Sequence, residues 1–117
     1  MEASKKEPVP QNFSVLTTKQ FDKEAKQLKL LPEDIDELKI YIKTRSPIAN
    51  EGDGIKKFQW TPKRMNLPTG EYRPYCIELV KFQEAYLCTI YAKKDKSDLT
   101  PPERKFLHEI AKRMRKG

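Results

Sequence analysis

The sequence predicts a small single α+β domain: an N-terminal strand, a helical hairpin, an antiparallel β-sheet of about four strands and a C-terminal helix. Three observations predict it. Apolar residues recur at helical spacings in two stretches before residue 46 and in one after residue 100. Three strand-like runs separated by turn-forming residues lie between them. The length, 117 residues, is that of one domain. Such a chain can bury roughly two thirds of its unfolded surface, enough for one modest core.

The elements follow in order. Residues 1–12 are polar, contain two prolines and have no period, so they read as a flexible tail before a domain spanning 13–117. Residues 13–18 are a short run with β-branched members, a first strand. Thr18 can cap a helix whose inner face carries Phe21, Ala25 and Leu28. A second helix restarts at Pro32, where a missing N–H costs nothing. Glu33 and Asp34 complement its dipole, and Ile35, Leu38 and Ile42 mark its inner face up to about Arg45.

Residues 46–54 read as a loop broken by Pro47, Gly52 and Gly54. Residues 55–60 alternate, with Phe58 and Trp60 on one face and Lys57 and Gln59 on the other. Residues 61–70 form a long hairpin loop, 71–80 a strand and 81–83 a turn. Residues 85–92 are apolar on both faces, as in a central strand. After a charged connection at 93–98, Thr100-Pro101-Pro102-Glu103 supplies a capping box, and Phe106, Leu107, Ile110 and Met114 continue one helical face.

Composition excludes several functions. No apolar run reaches the roughly 18–20 residues of a membrane span, and residues 1–10 lack the apolar core of a secretory signal. No glycine-rich phosphate loop is present. His108 is the one histidine, so no histidine pair can hold a metal, and it reads as a surface residue. A turn at 81–83 would set Cys76 directly opposite Cys88. They read as two buried free thiols, a strained redox bridge being the alternative.

The net charge is +7, from 24 Lys and Arg against 17 Asp and Glu. A basic balance suits a polyanionic partner. Lys56, Lys57, Lys63, Arg64, Arg73, Lys93 and Lys94 fall on or beside the three predicted hairpin strands, interleaved with Tyr72, Tyr75 and Tyr91. Cations neutralise phosphate and rings stack on bases, so such a face suits RNA; a solvated sheet rim is the alternative. Arg73 shares its strand parity with Tyr75, Ile77 and Leu79, which leaves its face open. Residues 112–116 form a second basic cluster, readable as a helix-dipole complement or as a nucleic-acid contact.

Three segments resemble the RelE/ParE superfamily of type II toxin–antitoxin toxins, in its RelE/HigB-like branch. Gly52-Asp53-Gly54-Ile55-Lys56-Lys57-Phe58 resembles the start of its first hairpin strand, and Gly70-Glu71-Tyr72-Arg73-Pro74-Tyr75 its second. Residues 86–100, YLCTIYAKKDKSDLT, followed by Glu103, resemble its last strand and the segment leading into the final helix. The resemblance implies a cytoplasmic, ribosome-dependent mRNA endoribonuclease that inhibits translation without a metal or other cofactor. It implies an antitoxin protein, the ribosome and mRNA as partners, no membrane, a monomeric free toxin and a toxin–antitoxin hetero-oligomer. It assigns Lys57, Arg73 and Lys94 to catalysis. Lys56, Lys93, Lys63, Arg64, Tyr75 and Tyr91 are then expected to bind RNA. Gln59 stands where relatives carry a second cation, and Thr100 where some carry a tyrosine. A ParE-like gyrase inhibitor and a non-catalytic RNA-binding module are the competing expectations.

Overall fold

The computed structural model describes residues 7–117. Its architecture is α+β: β1 (Ser14–Thr17), α1 (Lys19–Gln27), α2 (Pro32–Thr44), β2 (Ala49–Gly52), β3 (Ile55–Lys57), β4 (Tyr72–Leu79), a 3-10 turn (Val80–Phe82), β5 (Glu84–Ala92) and α3 (Pro101–Lys116). The strands form one sheet in the order β1-β5-β4-β3-β2. β1 runs parallel to β5, and the other pairs are antiparallel. Five strands replace the expected four, because β2 forms inside the segment read as a loop at 46–54. Gly54 turns β2 into β3 at φ +78°, where a Cβ would lie 2.6 Å from the Glu78 carbonyl oxygen.

The helix signals operate as read. Thr18 Oγ1 accepts from Phe21 N–H at 3.1 Å. Thr100 Oγ1 accepts from Glu103 N–H, and Glu103 returns the bond to Thr100 N–H at 2.8 Å. Asp34 likewise reaches back to Leu31 N–H at 2.7 Å. Phe21, Ala25, Leu38 and Ile42 are buried on the hairpin's inner face. On α3 the buried pair is Leu107 and Ala111, while Phe106 is 56% exposed, so the inner face is rotated from the one expected.

Two cores lie on opposite faces of the sheet. The helical hairpin covers Phe58, Trp60, Tyr72, Cys76, Leu87 and Ile90. α3 covers Ile55, Tyr75, Ile77, Leu79, Cys88 and Tyr91. β4 alternates regularly between them, as a period of two requires. β5 does not: Tyr75 pairs with Thr89 but Cys76 pairs with Leu87, so one extra residue bulges. The connection is also longer than the turn expected at 81–83, since Leu79 pairs directly with Glu84. The longer connection removes the expected Cys76–Cys88 juxtaposition, because it sets Cys76 opposite Leu87. Cys76 and Cys88 fall in different cores and are both free thiols. Burial pushes the Cys88 thiol up to about 12, and Cys76 higher still.

Part of the segment expected as a tail, 1–12, is held against the domain. Val9 is buried among the hairpin residues and its N–H donates to Ile42 O at 2.9 Å. Residues 1–6 lie outside the described part of the chain. No helix among the described residues is long and apolar enough to cross a membrane.

Candidate nucleic-acid interface

Lys57 and Arg73 fall on the face of the sheet that α3 packs against, and Lys93 and Lys94 follow directly after β5. Lys57 on β3 pairs with Tyr75 on β4, and Trp60 bridges Tyr72. That register sets Gln59 beside Arg73, on the same face as Lys57 and Tyr75. The ambiguity in Arg73's face is thereby resolved toward the α3 side. Arg73 pairs in turn with Tyr91 of β5. Its guanidinium donates from Nη1 to the Gly70 carbonyl. A Cβ on Gly70 would lie 3.2 Å from Gln59 Oε1 and 3.5 Å from Arg73 Nη1, so this glycine makes room for both side chains. Lys93 and Lys94 are exposed immediately after β5, and Lys94 has no ion-pair partner among the described residues.

The hub of the face is Asp98, in the connection between β5 and α3. Its Oδ1 accepts from Leu99 N–H at 2.8 Å, Arg104 Nη2 at 2.8 Å, Tyr75 OH at 3.2 Å and Lys57 Nζ at 3.5 Å. Lys57 Nζ also stands 5.8 Å from the centre of the Tyr75 ring. Arg104 Nη1 pairs with Glu51 at the irregular step of β2. Partial burial pushes the Asp98 carboxyl up, but the Leu99 N–H, Lys57 and Arg104 outweigh it and hold the group below its ordinary value. Burial pushes the Tyr75 hydroxyl strongly up, with Tyr91 and Asp98 adding to it, so Tyr75 stays a neutral donor.

Several expected RNA contacts lie elsewhere. Lys56 projects to the opposite face, is 4% exposed, and donates to Glu78 at 2.8 Å and to the Glu7 carbonyl at 2.8 Å. A one-residue step along a strand reverses the face, which separates Lys56 from Lys57. The Arg64 guanidinium holds Asp34 at 2.7 Å, and its Nη2 also donates to Lys29 O. Burial pushes Asp34 up, but Arg64 and the Leu31 N–H outweigh it and keep the carboxyl below its usual range. Lys63 is exposed on the hairpin side, its N–H donating to Glu37. Tyr75 is wholly buried and Tyr91 6% exposed, so neither ring can stack on a base; their hydroxyls reach Asp98 and Ser97 O. His108 is only partly exposed, and its Nδ1 lies 2.7 Å from Asp53.

Glu51, Asp98 and Arg104 escaped the sequence reading. Asp98 stood in a charged connection two residues before a cap, with no local sign that a cation-bearing strand folds against it. An apolar cleft of about 310 Å³ between α1, β5 and α3 is lined by Leu99, Phe106, Leu107 and Ile110, and by none of Lys57, Arg73 and Lys94. The cations therefore lie outside this cleft, with Lys57 and Arg73 partly exposed and Lys94 exposed. No protein-family model and no curated protein matches this chain, so the geometry of this surface carries the functional reading.

Proposed function

We propose that this chain is a type II toxin of the RelE/ParE superfamily, in its RelE/HigB-like branch, acting as a ribosome-dependent, metal-independent mRNA endoribonuclease. The observation that supports it is the placing of Lys57 and Arg73 on one face of adjacent strands, with Lys94 exposed at the strand end beyond them. Cleavage joins the ribose 2′ oxygen to the adjacent phosphorus and breaks the bond from phosphorus to the 5′ oxygen. The products are a cyclic phosphate and a 5′-hydroxyl. The transition state carries extra charge on the phosphoryl oxygens, which fixed cations stabilise. Arg73 and Lys94 supply that charge, and Lys57, paired with Asp98, positions the attacking hydroxyl, whose proton passes to water while the departing 5′ oxygen takes one from water. The protein works in the cytoplasm, free as a monomer and silenced by an antitoxin in a hetero-oligomer. The ribosome supplies the positioning that this small surface lacks.

Expression without an antitoxin is expected to arrest growth and cleave translated mRNA. Arg73→Ala should lower cleavage by about a hundredfold, the usual cost of one charge-stabilising donor, and relieve the arrest. Arrest with intact mRNA would sink this reading. Toxicity that survives Arg73→Ala, together with inhibited supercoiling in a purified gyrase assay, would replace it with gyrase inhibition.

A further inference from the structure

We propose that Lys57, Tyr75 and Arg104 form a phosphate subsite for single-stranded RNA, and that the chain's own Asp98 occupies it when RNA is absent. The subsite rests on the nuclease reading for the identity of its ligand and on geometry for its existence. Donors from β3, β4 and α3 converge on a single oxygen, Asp98 Oδ1. Three side-chain donors around one anionic oxygen are what a phosphate oxygen requires. Asp98 is the most exposed member, with its side chain 49% accessible against 13% for Lys57 and 30% for Arg104. Rotation of its side chain would release the three donors, at the cost of the Leu99 N–H bond that the same oxygen accepts.

Charge balance gives the carboxylate its consequence. Lys57 and Arg104 are matched by Asp98 and Glu51, so the occupied subsite carries no surplus. Departure of Asp98 leaves one positive charge in excess, beside Arg73 and the exposed Lys94. Phosphate therefore competes with Asp98, and the internal carboxylate weakens binding of polyanions that do not fill the site. Arg104 becomes an RNA-binding residue that the sequence pattern does not reveal.

The test uses the full chain and a non-cleavable 2′-O-methyl RNA oligonucleotide, with binding followed by fluorescence anisotropy against salt. Asp98→Asn should bind about fivefold or more tightly at low salt and steepen the salt dependence by about one phosphate contact. Arg104→Gln should weaken binding and cancel the gain when combined with Asp98→Asn. Asp36→Asn, an equal charge change on α2, should have a much smaller effect. Circular dichroism establishes that each variant is folded. Equal gains from Asp98→Asn and Asp36→Asn, or a gain that survives Arg104→Gln, would overturn the subsite. Equally tight binding of a polyglutamate peptide would assign the site to acidic protein and overturn the RNA assignment. Tighter RNA binding by Asp98→Asn with no mRNA cleavage in cells would leave the subsite standing and remove the nuclease reading; the converse would do the reverse.

Discussion

Lys56→Ala is expected to cost about 3–5 kcal/mol of folding stability, because it leaves a buried carboxylate without its partner. Lys56 and Glu78 have side chains 5% and 12% exposed and meet at 2.8 Å. The same ammonium also satisfies the Glu7 carbonyl, tying the N-terminal segment to β3. Removing it strands both acceptors. A double replacement, Lys56→Met with Glu78→Leu, removes both charges and fills similar volume. It should recover most of the loss, since apolar pairs often replace buried ion pairs at little cost. Urea unfolding midpoints of the three proteins check this. A loss of less than about 1 kcal/mol in Lys56→Ala would mean that the pair behaves as a surface ion pair. RNA binding by the folded double variant should match the parent, because Lys56 is on the face away from the cation cluster.

Trp60→Ala should cost about 3–5 kcal/mol, comparable to a large part of a small domain's total of about 5–15 kcal/mol. Trp60 is 1% exposed in the core beneath the helical hairpin. Its ring lies 6.2 Å from that of Tyr72, tilted at 51°. Its Nε1 donates to Glu37 Oε2 of α2 at 3.3 Å, so the one side chain joins sheet to helix by both packing and a hydrogen bond. Trp60→Phe keeps a ring in the site and loses the donor, and should cost less than half as much. Thermal unfolding followed by circular dichroism separates the two. Equal losses would place the energy in the indole hydrogen bond and not in the filled volume.

The two predictions differ in how readable their residues were. Trp60 alternates with Phe58 along a short strand, so its burial follows from the strand's period of two. Lys56 sits on that same inward face, yet a lysine between Ile55 and Lys57 carries no mark of a carboxylate 22 positions later. The same contrast runs through the site. Lys57 and Arg73 were legible as cations on neighbouring strands, whereas the convergence of Lys57, Tyr75 and Arg104 on Asp98 was not. Arg64 was read as an RNA contact and instead neutralises Asp34, 30 positions earlier.

The sequence by itself determined the α+β class, the hairpin of helices, the caps at Thr18 and Thr100, and the inward faces of α1 and α2. These depend on residues within a turn or two of one another, where spacing fixes which side chains meet. Only the tertiary structure decided the fifth strand, the β4–β5 register that parts Cys76 from Cys88, and which cations remain on the surface. Each of those depends on register between distant segments. A shift of one residue reverses a side chain's face, and no local preference is strong enough to specify it.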